Sequence, residues 1–305
     1  MQGTHLKVIK VILFSVLGLS LLALYWYLFV ALKEEPIDFQ EILSSYNYQT
    51  PRSLDISLTP LGNNQFGFSF TSFDDDRVNG QIRYPQTKKS SYPVLLGVSA
   101  MGRSHERWWN NSYKGRPTIT QVNKITDIAI NKGYAVIAID ARFHGSRKNP
   151  ELPVSTIMNR LHYLGDKTAY EDMIRKTVLD YRVLIDWLST QPQLDETRIS
   201  LAGYSMGAQI VLLLSTLEEN IQQVISVAPP YLDNKVAAVA PINFAPHSRA
   251  QDLLLITADN DEFATQAENT ALFDFIDIES KQHQVFPGGH ILPPGYIDTV
   301  AEWLE

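Results

Sequence analysis

The segment Gly203-Tyr204-Ser205-Met206-Gly207 sets one hydroxyl group between two residues that lack a side chain. The apolar run Ile199-Ser200-Leu201-Ala202 precedes it and a helix-forming run from Ala208 to Leu217 follows, so the serine falls on a strand-turn-helix junction. A turn that sharp strains the backbone of its central residue, and side chains at 203 and 207 would collide with the neighbouring strand and helix. Ser205 is thereby lifted off the strand end as a nucleophile. The following helix brings the partial positive charge of its N-terminus to the site, and the Met206 N–H becomes an oxyanion donor.

An alcohol needs a base to attack a carbonyl. Of seven histidines, His290 lies on a loop after a late strand, in Phe286-Pro287-Gly288-Gly289-His290, where two glycines leave the imidazole room to approach Ser205. His283 falls inside that strand, His247 in the approach to an earlier one, and His5 precedes the apolar N-terminal segment. His105, His144 and His162 lie near strand ends or in the irregular stretch; they are expected as structural hydrogen-bonding groups, with entry into the pocket as the alternative. A carboxylate must then fix the imidazole tautomer and stabilise its charged form. Leu253 to Ile256 is followed by Asp259, Asp261 and Glu262; Asp261 is the chosen acid and Asp259 the alternative.

These residues require a scaffold, and the apolar periodicity supplies one. Phe66, Phe68 and Phe70 alternate with smaller residues as a strand, Asp74-Asp75-Asp76 forms a turn, and Val78 to Tyr84 returns. The three aspartates lack the spaced ligands and closing glutamate of a calcium loop. Buried strands follow at 94–98, 135–139, 199–202, 224–227, 253–256 and 283–286. Helices are expected from Ile119 to Ala129, Tyr170 to Thr190, Gln209 to Leu217 and Ile297 to Leu304, while 146–169 has no clean period. Strands alternating with helices imply an α/β fold: a doubly wound, mostly parallel sheet with an N-terminal antiparallel hairpin and ligands at the carboxyl ends of the strands.

Composition sets the outer limits. The chain has 305 residues, 45% hydrophobic and 19% charged, enough apolar side chain for one large core. A net charge of −7 leaves no basic excess for a nucleic-acid surface. With no cysteine, disulfides, thiolate metal sites and a cysteine nucleophile are excluded. Residues 11–32 carry no charge, and a helix of that length spans roughly 30 Å of hydrocarbon. Bulky residues surround the only candidate cleavage alanine, Ala31, so an uncleaved signal anchor is expected rather than a signal peptide. Lys7, Lys10 and the terminal amine against Lys33, Glu34 and Glu35 place residues 1–10 in the cytoplasm and the domain outside the cytoplasmic membrane, which in a bacterium is the periplasmic side of the inner membrane. Residues 33–60 are expected as a stalk, linker or wrapping arm, and 61–305 as the catalytic domain.

Taken together, these features resemble the α/β-hydrolase superfamily from about Phe68 to Leu304. The run Gly133 to Gly145 is similar to the strand ending in Asp-x-Arg-x-x-Gly, here Asp140, Arg142 and Gly145, and Leu194 to Ile199 to the lead into the elbow strand. The order Ser205, Asp261, His290 is that of the superfamily. Within it the chain is more similar to serine esterases, acetyl xylan esterases and dienelactone-hydrolase-like proteins than to large lipases. The resemblance implies acyl transfer from a small-molecule ester to water, with neither metal nor cofactor. It also implies a second oxyanion donor after the first parallel strand, where Ser99-Ala100 replaces the usual His-Gly and the Met101 N–H stands at the donor position. A peptidase or acyltransferase would use the same triad; a membrane-tethered binding protein would not call for one. Trp108 and Trp109 are open to two roles, as an apolar or sugar-binding wall or as packing beneath their loop.

Overall fold

The computed structural model describes residues 2–51, 54 and 56–304; Met1, Arg52 and Glu305, on which parts of the orientation and boundary expectations fall, lie outside the described residues, as does the side chain of Lys7. Helix α1 (Gln2–Phe29) exposes its apolar side chains from Ile9 to Phe29 over its whole circumference. It stops at Phe29 rather than Leu32: the Val30 and Ala31 amides both turn back to the Trp26 carbonyl, and Leu32 packs on the domain core. The Trp26 indole donates to the Tyr163 carbonyl at 2.6 Å.

The segment expected as a stalk or arm lies against the domain. It contains helix α2 (Phe39–Ser44), capped by the Asp38 carboxylate, and buries Ile42 and Tyr46 in the main core. The Tyr46 hydroxyl reaches the Ala238 carbonyl at 2.9 Å. Two large fully buried side chains contribute roughly 3–6 kcal/mol of burial, so this stretch is part of the folded unit and not a free spacer.

Strands β1 (Thr59–Gly62), β2 (Gln65–Thr71) and β3 (Arg77–Arg83) form the antiparallel start; β4 (Tyr92–Val98) is followed by a small ribbon, β5 (Ser112–Tyr113) and β6 (Arg116–Pro117), then α3 (Val122–Asn131) and β7 (Ala135–Ile139). Next come α4 (Val154–Leu164), α5 (Thr168–Leu188), β8 (Leu194–Tyr204), α6 (Met206–Leu217), β9 (Ile221–Val227), α7 (Pro241–Phe244), β10 (Asp252–Ala258), α8 (Gln266–Phe275), β11 (Ser280–Phe286) and α9 (Tyr296–Trp303). The main sheet has the order β1-β2-β3-β7-β4-β8-β9-β10-β11. From β7 to β11 every neighbouring pair is parallel, while β1, β2 and β3 join antiparallel. Each face of the sheet carries its own apolar cluster, with β4, β7 and β8 buried on both sides. This is the α/β-hydrolase architecture expected.

Three local expectations change. Helix α3 begins at Val122, and Ile119 is exposed outside it. The stretch 146–169 contains α4, whose buried face is only Ile157 and Leu161 while Tyr163 and Leu164 face outward; so narrow a buried stripe, followed by exposed apolar residues, blurs the helical period. Trp108 is fully buried beneath Gly97, where any added Cβ would overlap its ring, and Trp109 is 9% exposed in the same cluster. Both therefore pack under the loop.

Candidate active site

Strand β8 runs straight into α6, and Ser205 is the single residue between them. Its backbone adopts φ 56°, ψ −118°, a region that costs a non-glycine residue about 1–3 kcal/mol. Its own N–H is held by the Val227 carbonyl at 2.8 Å, which pins the turn to β9. A Cβ on Gly203 would overlap the Gly207 carbonyl, and a Cβ on Gly207 would overlap the Val98 carbonyl. Both glycines are thus demanded by the close passage of α6 over β8 and β4. The result is a half-buried Ser205 hydroxyl on the carboxyl edge of the sheet.

Two loops at the same edge bring the other groups. His290 follows β11 and Asp261 follows β10, and these parallel neighbours deliver both loops side by side. The His290 Nε2 atom lies 2.8 Å from Ser205 Oγ, and Nδ1 lies 3.0 and 2.9 Å from the two Asp261 carboxylate oxygens. Asp261 and His290 are only 8% and 9% exposed. Asp261 also accepts from the Phe263 amide at 2.8 Å, and the Phe263 ring meets the imidazole edge-on at 4.6 Å. The alternative acid, Asp259, points elsewhere: its carboxylate accepts from the Gly288 amide at 2.9 Å and fastens the two loops together. Asn260 N–H to the Gly288 carbonyl adds a second tie at 3.0 Å. Glu262 accepts from the His290 amide at 3.0 Å, and that hydrogen bond holds its carboxyl below the usual value.

The two expected oxyanion donors flank this hydroxyl in the topology. Val98 on β4 pairs with Gly203 on β8, so Met101 lies three residues beyond this register pair on its chain segment where Ser205 lies two beyond it. Met101 sits in a turn closed by the Arg103 amide on the Ala100 carbonyl at 3.1 Å. Met206 opens α6 and is buried; amides in the first turn of a helix have no intrahelical acceptor.

Several supporting residues were not anticipated. Tyr204, fully buried, donates to the His290 carbonyl at 2.7 Å and accepts the Leu292 amide at 3.0 Å; burial pushes its phenol up to about 12. Its position in the elbow was legible, its target was not. Arg142 joins buried Asp180 to Asp74 in the hairpin turn at 2.7 and 2.8 Å, and Arg147 adds Asp180 and Asp76, both at 2.6 Å. Burial opposes the Arg142 charge, but Asp180 and Asp74 outweigh it and hold the guanidinium above its ordinary value. The acidic turn is thus an anchor for β2 and β3. Asp140 accepts from Ser104, His105 and Ser146, and despite its burial these bonds hold it well below the usual carboxylate range. His144 is buried against the Arg142 carbonyl, His283 meets Thr257 Oγ1 at 2.8 Å, His247 stacks on Phe39, and His162 and His5 are exposed on their helices.

Comparison with known proteins gives this arrangement a family. Residues 17–279 match the family model for acetyl xylan esterase (AXE1). The fold is similar to acetyl xylan esterase 1 from Thermoanaerobacterium sp. JW/SL YS485, with a TM-score of 0.69 at 18% identity over 90% of this chain and 97% of that one. It is also similar to an acetyl xylan esterase from Paenibacillus sp. R4, with a TM-score of 0.64 at 14% identity over 90% and 96%, and to Est1E from Butyrivibrio proteoclasticus bound to ferulic acid, with 0.55 at 14% identity over 76% and 95%. Among curated sequences it is 32% identical over 108 residues to the thiohydrolase apmlB of Arthrinium phaeospermum; the match covers 32% of this chain and about a third of that relative's length. The chain belongs to the acetyl xylan esterase family, a group of serine carboxylic ester hydrolases.

Proposed function

We propose that this protein is a membrane-anchored serine hydrolase that cleaves a small carboxylic ester through an acyl-enzyme on Ser205, with acetyl as the first acyl group to test. One observation carries the reading: His290 bridges the Ser205 hydroxyl and the Asp261 carboxylate through its two ring nitrogens. His290 Nε2 takes the Ser205 proton as Oγ bonds to the ester carbonyl carbon, and Asp261 stabilises the imidazolium. The carbonyl oxygen becomes an oxyanion facing the Met206 and Met101 amides, each worth about 2.7–4 kcal/mol to the transition state on the scale of such donors. His290 then protonates the leaving alcohol as the acyl–oxygen bond breaks. Water repeats the sequence on the acyl-enzyme, returning the proton to Ser205 and releasing the acid.

The apolar helix supports the anchor. Ile9–Phe29 is long enough to cross a bilayer, and Tyr25, Trp26 and Tyr27 stand at its domain end, where aromatic residues favour the lipid–water boundary. In this reading residues 1–10 are cytoplasmic, and the domain from residue 61, with the arm held to it through Ile42 and Tyr46, works outside the cytoplasmic membrane.

The test is release of acetate from aryl acetates by the full-length protein in neutral detergent, with a burst of phenol equal to the enzyme concentration. Absence of turnover in well-folded protein, or full turnover in Ser205→Ala, contradicts the catalytic reading. Extraction by alkaline carbonate contradicts the anchor. The thiohydrolase match favours a second substrate, a thioester, to be assayed beside the oxygen ester.

A further inference from the structure

The triad leaves unused a cavity of about 330 Å³ beside the turn that follows β4. Arg103, Arg107, Lys114, Arg116 and Lys148 line it, and no carboxylate is among its described lining residues. This concentration of positive charge stands in a chain whose net charge is −7. Arg103, Arg116 and Lys148 form no ion pair with any described residue, and Lys114 lies over the Tyr113 ring.

Arg107 is the telling member. It is 6% exposed, yet its guanidinium donates only to neutral acceptors: the carbonyls of Arg116 at 2.5 Å and Tyr113 at 3.2 Å, and Thr118 Oγ1 at 3.4 Å. Burial, then the charges of Arg103 and Arg116, hold it below its ordinary value. Asp140 lies behind Gly145 at one side of the cavity. Its two oxygens are already occupied by Ser104, His105 and Ser146. A buried cation without a counter-charge is costly, and the cost falls when an anion enters.

Position connects the cavity to the reaction. Its lining residues Gly102, Arg103, Ser104 and Arg107 follow β4, starting one residue after Met101, and Gly145 and Lys148 follow β7; β4 is the immediate neighbour of β8. The His290 and Asp261 loops approach from the opposite side, beyond β9. Strands are spaced about 4.8 Å apart, so the β4–β7 gap lies roughly 5–10 Å along the sheet from Ser205. A substrate whose carbonyl reaches the oxyanion turn therefore lies on the same edge of the sheet as these cations, one to two strands away.

Building on the ester hydrolase reading, we propose that this cavity binds an anionic group of the substrate, so that the preferred ester carries a carboxylate. Guanidinium groups pair with carboxylates through two parallel hydrogen bonds, and Arg103 and Arg116 are the groups free to do so.

The test compares 4-acetoxybenzoate with 4-acetoxybenzamide, which differ in charge but release the same acetyl group. For the full-length protein the benzoate is expected to have a KM at least tenfold below that of the benzamide. The Arg103→Gln/Arg116→Gln variant is expected to bring the two values within about threefold, and Arg103→Lys/Arg116→Lys to restore most of the difference. Equal KM values in the wild type, or a preference that survives the double glutamine variant, overturns the inference while hydrolysis of the benzamide keeps the ester hydrolase reading intact. Failure to hydrolyse either ester overturns both.

Discussion

The Tyr204 hydroxyl donates to the His290 carbonyl at 2.7 Å and accepts the Leu292 amide at 3.0 Å, so the residue beside the nucleophile also holds the loop that carries the base. Removing that hydroxyl leaves a buried carbonyl and a buried amide unpaired, at a cost of about 1–3 kcal/mol. Tyr204→Phe is expected to lower the denaturation midpoint accordingly and to reduce kcat about tenfold with little change in KM. Steady-state kinetics beside a denaturant titration checks both; unchanged kcat would mean that the loop is positioned by other ties.

Helix propensity and packing make opposite demands at position 207. In an exposed helix, alanine would gain about 1 kcal/mol over glycine, but here its Cβ would overlap the Val98 carbonyl. Overpacking costs about 1–3 kcal/mol or more, and backbone atoms of a central strand have nowhere to move. Gly207→Ala is expected to be destabilising and to lose at least a hundredfold in activity. A stabilised variant by thermal unfolding would contradict the close approach of α6 to β4.

The two loop aspartates separate by function. Asp261→Asn removes the charge beside the imidazole and is expected to lower kcat by roughly 10³–10⁴. Asp259→Asn weakens one tie to Gly288 and is expected to stay within about tenfold of wild type. Kinetics on one neutral aryl acetate compares them, and the reverse ranking would exchange their roles.

That choice also marks how far the sequence was readable. The elbow was legible because two glycines around one serine, between an apolar run and a helix, admit few other conformations. The layout of β4, β7, β8, β9 and β10 was legible from their short apolar runs, whereas β11 is mostly polar and carries only Val285 and Phe286 as apolar residues. Asp259 and Asp261 were hard to separate because what distinguishes them is non-local: the Asn260–Gly288 and Asp259–Gly288 bonds between loops that only parallel pairing of β10 and β11 brings together. The anchoring of Asp74 and Asp76 by Arg142 and Arg147 was hidden for the same reason, since the partners lie 66 and more residues apart. The burial of Ile42 and Tyr46 was hidden because two residues make no period.

Acid sensitivity is expected from His144. Its Nδ1 lies 2.6 Å from the Arg142 carbonyl, Nε2 is buried with no partner among the described residues, and burial lowers its pKa from the ordinary 6.5. The unfolded chain therefore takes up a proton where the folded one resists it. Its contribution to stability is complete above about pH 6.5 and declines as the pH falls from there towards the folded value. The unfolding free energy is expected to drop between about pH 7 and 5, and the drop to be smaller in His144→Gln. Equal slopes for the two proteins would contradict the assignment.

The central claim is that Ser205 is the nucleophile and that His290 activates it. Intact mass spectrometry of the full-length protein after exposure to a fluorophosphonate measures this most directly. One adduct per chain is expected, mapping to the peptide that contains Ser205, absent from Ser205→Ala and formed at least a hundredfold more slowly in His290→Ala. An adduct on another residue, or undiminished labelling of folded Ser205→Ala, would contradict it.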